Sequence, residues 1–346
     1  MDKVKVGVLG LGGNGRGWVK GYMASTRCEL VAVCDMWQDR IDTARELTGY
    51  QGPAYTDLDE MLDKAGIDAL SVHTSDHLHA DPFVKALEAG KHVAVEKPMG
   101  NTVEDLDRMT AAAAKSDCKT MVGQILRFNP FFQRVKQLCD DSALGRIFYA
   151  EADYVHSLFQ QADPARINPH TGINWYLEKE IPLVGGGAHP FDLLRWFTRA
   201  NAVEVKGWAN SIAFPEMKNS DCQIAIFSMS DGSIAKTTAA YGVVGQRPAF
   251  NNLILHGTEG TVRGGKLLRG RHGHFTEEDL CLEYEGHPFE PELEHFLECI
   301  LEDKPTLVDA FDGANTAAAC IVGAQAAETG QTLKVPQYGR ELRSEN

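Results

Sequence analysis

Val4-Lys5-Val6-Gly7-Val8-Leu9-Gly10-Leu11-Gly12-Gly13-Asn14-Gly15 is a short β-branched run that breaks into glycines. Gly10, Gly12 and Gly15 have the G-x-G-x-x-G spacing, in which a strand turns tightly into a helix whose first N–H groups face a pyrophosphate. Gly13 and Asn14 lie in the same turn and are expected to line it. Alone the signal is weak, because glycines that serve only packing would give it too. A second strand over 30–34 strengthens it. That strand ends in Asp35, 20 residues after Gly15, where a carboxylate would accept both hydroxyls of an adenosine ribose. Met36 and Trp37 follow, with no arginine beside Asp35 to hold a 2′-phosphate, so NAD is expected over NADP.

Outward from that turn the pattern alternates. Helices are expected over 38–47, 58–64, 78–89 and 103–115, with strands near Tyr55 and over 68–73, 92–95 and 119–123. This predicts a six-strand doubly wound parallel sheet of the Rossmann type, forming a domain over 1–123. Asn129-Pro130 then starts a helix reaching about Asp141. Beyond it the segments 147–154, 222–229, 233–241, 252–256 and 280–284 read as strands, with Asp231-Gly232 as a hairpin turn. The fold class is therefore α/β plus α+β, with an open, largely antiparallel sheet in a second domain, 124–346, for substrate binding and oligomerisation. Helices over 292–302 and 311–328 have apolar residues at helical spacing, and packing back on the first domain is one option for them.

Composition excludes several classes. The 346 residues, 43% hydrophobic and 24% charged, suit two globular domains. No apolar run has the length of a membrane span, and Met1-Asp2-Lys3 leads straight into a strand, so no signal peptide, no membrane partner and a cytoplasmic location are expected. The eight cysteines are scattered without C-x-x-C pairs or zinc spacing, so they are read as reduced thiols and no metal is expected. A net charge of -14 argues against nucleic acid as a partner; solubility explains the acidity equally well.

The strand over 92–95 runs into Glu96-Lys97-Pro98, at the carboxyl edge where open α/β sheets bind ligands. Pro98 restricts Lys97 to extended geometry, fixing an ammonium donor where it can polarise a substrate oxygen. A surface lysine before a strand-ending proline is the plain alternative.

With these residues in view the chain resembles the glucose-fructose oxidoreductase, inositol dehydrogenase and MocA (Gfo/Idh/MocA) family over nearly its whole length. The resemblance rests on the glycine turn, Thr74-Ser75-Asp76-His77-Leu78-His79, Ala89-Gly90-Lys91-His92-Val93 with Glu96-Lys97-Pro98, Gln124-Ile125-Leu126-Arg127-Phe128-Asn129-Pro130, and Gly257-Thr258-Glu259-Gly260-Thr261. It implies an NAD(P)-dependent oxidoreductase acting on a sugar or polyol carbon, with Lys97 catalytic and Thr74, Asp76, His79 and Glu96 on the cofactor side. His79 also reads as a structural residue at a helix start. The family's second motif, D-x-x-x-H-x-x-D, falls on Gly185-Gly186-Gly187-Ala188-His189-Pro190-Phe191-Asp192. His189 and Asp192 match, and Gly185 stands where the first acid belongs. A histidine with an ordinary pKa near ~6.5 suits removal of a carbinol proton. Asp192, one helical turn on, is expected to orient it. The three glycines leave room for a bulky ligand or make a tight helix entry.

Arg127, Tyr154, His156 and Trp175 join Lys97 and His189 as expected substrate contacts, with core or interface aromatics and a salt-bridged arginine as the alternatives. The basic stretch 269–274 reads as a solvated turn before a phosphate site. The reading is an NAD-dependent dehydrogenase of a sugar, glycoside or polyol, with its site where the domains meet. The alternative is a redox-neutral epimerase or glycoside-cleaving lyase that keeps NAD bound and oxidises its substrate transiently. Lys97 and His189 speak against a mere sensor or scaffold. An apolar sheet face in the second domain implies a homodimer or homotetramer.

Overall fold

The computed structural model describes residues 2–245, 252–271, 274–280 and 288–339. The chain divides into two compact units: Met1–Ile125 with His287–Ala314 and Tyr338–Asn346, and Leu126–Gly286 with Asn315–Gln337.

In the first unit β1 (Val4–Leu9), β2 (Cys28–Cys34), β3 (Ala54–Tyr55), β4 (Ala69–Val72), β5 (His92–Glu96) and β6 (Thr120–Gly123) form a parallel sheet in the order β3-β2-β1-β4-β5-β6. The order reverses between β1 and β4, the place where such sheets bind ligands at their carboxyl ends. Val4, Val6 and Val8 are fully buried and pack with Trp18 and Tyr22 of helix Gly13–Ala24. Leu293, Phe296 and Leu297 of helix Phe289–Leu301 close the same core. Their i, i+3, i+4 spacing makes one apolar stripe, and each such side chain contributes about 1.5–3 kcal/mol when fully buried.

The second unit carries β7 (Ile147–Glu151), β8 (Tyr154–Val155), β9 (Ala202–Asn210), β10 (Cys222–Met229), β11 (Ile234–Ala240), β12 (Ile254–Gly257), β13 (Gly260–Arg263), β14 (Lys266–Arg271), β15 (His274–Asp279) and β16 (Leu333–Lys334). The described sheet runs β15-β14-β13-β12-β7-β11-β10-β9-β16, with β8 also on β11. β11 is parallel to β7 and β8, and the other described pairings are antiparallel.

Several expected elements change. The strand over 147–154 is split in two by Asp153, whose Oδ1 accepts from Lys236 Nζ and from the Thr238 N–H, both at 2.9 Å. The basic stretch is strand rather than turn where it is described, Arg269 facing Thr276 across β14 and β15; residues 272 and 273 lie outside the described residues. Leu280 is outside any strand, and the rest of the strand expected over 280–284 lies beyond the described residues. β9 was not expected, because Gly207 interrupts its pattern. A Cβ there would stand 3.0 Å from Ala327 and overlap the Ile224 carbonyl oxygen, so the glycine is what lets helix Ala310–Thr329 lie against the sheet.

One face of β9–β11 buries Val205, Ala225, Phe227, Ala235 and Ala239, with Phe227 4.3 Å from the Phe191 ring of helix Ala188–Thr198. The opposite face exposes Val203 (45%), Trp208 (54%), Ile226 (39%) and Ile234 (49%). Among the described residues no helix is long and apolar enough to cross a membrane.

Exposed apolar side chains gathered on one face of a sheet predict self-association. Light scattering at micromolar concentration is expected to give a dimer or tetramer mass, and Trp208→Lys with Ile226→Lys is expected to lower it. A monomer mass for the unsubstituted protein would refute the expectation.

Candidate active site

The candidate residues fall in both units, and each set has its own frame. In the first unit β1 ends at Gly10, whose φ of +88° is left-handed; a Cβ there would lie 2.6 Å from the His73 carbonyl and 2.8 Å from the Thr74 nitrogen. A Cβ on Gly15 would overlap the Gly10 carbonyl oxygen. The chain itself demands these two glycines. Gly12 and Gly13 are different: nothing lies within 4 Å of a Cβ on Gly13, and on Gly12 only the Arg40 guanidinium, at 3.9 Å. Gly12 is also the N-cap of helix Gly13–Ala24 and has no side chain with which to cap it. An open turn of N–H groups at a helix start fits a pyrophosphate. Thr74 adds a buried hydroxyl with no hydrogen-bond partner.

Asp35 is 4% exposed; its Oδ2 accepts from the Leu11 N–H at 2.8 Å and its Oδ1 from the Trp37 N–H at 3.1 Å. Each oxygen keeps acceptor capacity for a ribose hydroxyl. Arg40 stacks on Trp37 at 4.4 Å and lies 4.0 Å from Asp35 Oδ2, a cation the sequence reading passed over because it comes a helical turn after Asp35. Met36 is 66% exposed beside them, and Asp76 starts a short 3₁₀ turn, half-buried.

Glu96 is turned inward. Its Oε1 accepts from Asn14 Nδ2 at 2.6 Å and Trp18 Nε1 at 3.0 Å, with His73 Nδ1 at 3.4 Å. Asn14 Nδ2 and Glu96 Oε1 are committed to each other, joining the glycine turn to β5. His79 is likewise a brace. It is fully buried, with Nδ1 2.8 Å from the Pro98 carbonyl oxygen and Nε2 3.2 Å from that of Thr74. Lys97, half-buried, therefore sits between two anchored neighbours, and its bond to Pro98 is cis.

Burial works against the charge on Glu96, but His73, Lys97 and Asn14 outweigh it and hold the carboxyl below its ordinary range. Glu292, 1% exposed, is pushed well above that range by burial and then by Glu96. A Cβ on Gly123 would touch both carboxyl groups, at 3.3 and 3.4 Å. The pair is thus biased in opposite directions, Glu96 toward its charged form and Glu292 toward its protonated form.

In the second unit helix Pro182–Gly185 is tied to β10, the Leu183 N–H donating to Gln223 Oε1 at 3.0 Å. Gly186 and Gly187 keep right-handed helical backbones and lead into helix Ala188–Thr198. His189, 8% exposed, stacks on Tyr154 with ring centroids 6.1 Å apart. Tyr154 also stacks on His156 at 5.6 Å and meets Tyr241 edge-on at 6.1 Å. The His156 Nδ1 lies 2.9 Å from the Ser157 carbonyl oxygen. Trp175 Nε1 donates to Glu180 Oε2 at 3.2 Å, and the Tyr241 hydroxyl to Glu180 Oε1 at 2.5 Å. Tyr154, His156, Trp175 and His189 are thus gathered in one wall, to which the structure adds Glu180 and Tyr241. Neither was legible in the sequence; the only hint was the missing acid at Gly185.

Two expectations are corrected. The glycines do not open a space, because a Cβ on Gly185 would overlap Glu180 and one on Gly186 would overlap Tyr154. Asp192, 1% exposed, gives its carboxylate to Arg127 rather than to an imidazole: Nε and Nη2 each donate at 2.7 Å, and Thr316 Oγ1 adds a bond at 2.9 Å. Arg127 is itself 3% exposed, so it is a structural arginine in a bidentate pair.

The fold and the glycine turn define an NAD-binding oxidoreductase. Residues 4–124 match the oxidoreductase family with an NAD-binding Rossmann fold, and residues 132–263 match the GFO/IDH/MocA C-terminal domain. The chain belongs to the Gfo/Idh/MocA family and is an NAD-dependent oxidoreductase. It is 28% identical over 329 residues to scyllo-inositol 2-dehydrogenase (NAD(+)) of Bacillus subtilis, 90% of each chain being covered. It is 25% identical over 268 residues to 1,5-anhydro-D-fructose reductase of Ensifer adhaerens, covering 76% of each. Among solved structures, scyllo-inositol dehydrogenase of Lactobacillus casei with bound NAD(H) and scyllo-inositol superposes with a TM-score of 0.77 at 20% identity, covering 96% of this chain and 99% of that one.

Two outcomes follow from the first unit. Asp35→Ala is expected to weaken NAD binding by roughly tenfold or more, the worth of hydrogen bonds to a charged group, and to narrow the preference over NADP; the check is titration with both dinucleotides, and equal NADP binding by the unsubstituted protein would contradict it. Glu292 binds its proton more tightly in the folded chain than in the unfolded one, so the stability it allows is full at low pH and is lost as pH rises. Glu292→Gln is therefore expected to match the parent near pH 4 and to melt on the order of 3 °C higher at pH 8, by calorimetry.

Proposed function

We propose that this enzyme oxidises a secondary alcohol on the ring of a polyol or sugar. The observation that carries the reading is Tyr154 stacked on both His156 and a nine-tenths buried His189, with Trp175 joined to them through Glu180 and Tyr241, aromatic groups with polar tips that suit a hydroxylated ring. The relatives named for inositol and anhydrofructose chemistry support it. When bound, NAD supplies the acceptor for the hydride that leaves the carbinol carbon. His189 takes the hydroxyl proton. Lys97 hydrogen-bonds the same oxygen and stabilises the negative charge that builds on it as the C–H bond breaks. The His79 brace and the Glu96 anchor fix the backbone from which Lys97 works, so little reorganisation is needed at the moment of reaction.

NADH formation, followed by absorbance across inositols, other polyols, free sugars and glycosides, is expected to identify a cyclic polyol or sugar. Lys97→Ala and His189→Ala are each expected to lower turnover by on the order of 10²-fold, with NAD binding largely kept. Near-normal turnover in both variants would refute the assignment. Retained NAD with a glycoside or sugar consumed and no net NADH would replace the dehydrogenase by a redox-neutral epimerase or lyase.

A further inference from the structure

Gly185 precedes His189 by four residues, and the intervening glycines keep helical backbones, with Gly186 at φ -82°, ψ -47° and Gly187 at φ -65°, ψ -20°. Residues four apart on such a path share a face. A side chain at 185 would therefore project beside His189, and the structure fills that place with another residue. A Cβ built on Gly185 would overlap Glu180 Oε1 and stand 2.8 Å from both Cδ and Oε2 of the same carboxylate. We propose that Glu180 is the positioning residue for His189, delivering from a preceding loop the carboxylate that position 185 lacks.

Glu180 is held for such a role. It is 7% exposed, and its two oxygens accept from Tyr241 and Trp175. Its own backbone is fixed on both sides, the N–H donating to the Trp175 carbonyl at 3.1 Å and the carbonyl accepting from Asn219 Nδ2 at 2.8 Å. Both side-chain donors are neutral groups. Burial first, and then Glu180, raise the Tyr241 hydroxyl well above its ordinary value, so it remains a donor through the working pH range. Donation by Tyr241 and Trp175, both neutral, does not cancel the charge of the carboxylate. Asp192, the other carboxylate of this region, is neutralised by Arg127.

The consequence is electrostatic. Among the described residues the imidazole stacks on Tyr154, which meets His156 and Tyr241; Tyr241 is in turn flanked by Tyr176 and Glu180, and on the His189 helix Asp192 is paired with Arg127 from the segment after β6. A buried carboxylate in that set favours the imidazolium and raises the basicity of His189. The carbinol proton moves from the substrate oxygen to His189; Glu180 stabilises the cation so formed and takes no proton itself.

This inference rests on His189 being the base of the proposed dehydrogenase, and the test separates the two. In the full-length, NAD-bound protein the His189 imidazole is titrated by NMR with labelled histidine, the signal assigned from His189→Gln. Glu180→Gln is expected to lower its pKa by about one unit or more, to move the acid limb of kcat/KM by the same amount, and to lower kcat about tenfold with a smaller change in KM. Gly185→Asp alone puts a side chain into the space of Glu180 and is expected to be unstable. Glu180→Ala with Gly185→Asp returns the carboxylate from the helix, and is expected to recover at least tenfold in kcat over Glu180→Ala and to raise the His189 pKa again. An unshifted His189 in folded Glu180→Gln overturns the proposal, as does a folded double variant without recovery. Should Glu180→Gln not fold, the double variant decides. Should no polyol or sugar be turned over, the function fails while the NMR titration still answers for Glu180.

Discussion

The carboxylate of Glu96 is where the first unit is joined. It receives Asn14 from the glycine turn, Trp18 from the helix behind that turn and His73 from the end of β4, and it belongs to β5 itself. A buried charge is tolerated only when donors surround it, and here Asn14 and Trp18 donate to it while the His73 ring stands 3.4 Å away. His73 extends the network: Tyr22 donates to Ser71 at 3.0 Å, and Ser71 lies 2.7 Å from His73 Nε2. The bonds fit a neutral imidazole carrying its proton on Nδ1, toward Glu96, and burial favours that neutral form. Glycine turn and Lys97 are thereby coupled through one residue, which makes the geometry of the cofactor turn and that of the lysine backbone a single structural fact.

The second unit separates framework from chemistry. Its bidentate Arg127–Asp192 pair fastens the segment after β6 to helix Ala188–Thr198, and Arg195 of the same helix reaches Thr316 at 2.7 Å and Asn201 at 2.6 Å. Breaking a buried pair of this kind typically costs about 3–5 kcal/mol. With that helix clamped by its charged residues, His189 at its start is held against the ring of Tyr154.

What the sequence revealed was whatever depends on local geometry. Gly10 and Gly15 were readable because a left-handed turn and a close backbone contact admit no other residue, and Asp35 because the length of one helix and one strand fixes its distance from the turn. The pattern of β10 and the Asp231-Gly232 turn were readable for the same reason. Contacts between residues far apart in the chain were not. Arg127 and Asp192 are separated by 65 positions and Tyr241 and Glu180 by 61, and nothing in their neighbours announces the pairing. Gly185 to Gly187 left room for a ligand and a tight helix entry both open, because a glycine records only that its own side chain is missing, not whose side chain stands there instead.

That exclusion reaches beyond this one chain. Glu180 and any side chain longer than hydrogen at position 185 compete for the same few cubic ångströms, so the two cannot vary independently. A chain of this fold with an acid at the position of Gly185 is expected to carry a shorter or redirected residue at the position of Glu180. The charge beside the histidine is then inherited as a place rather than as a column of an alignment, and a comparison that tracks single positions will score its relocation as a loss.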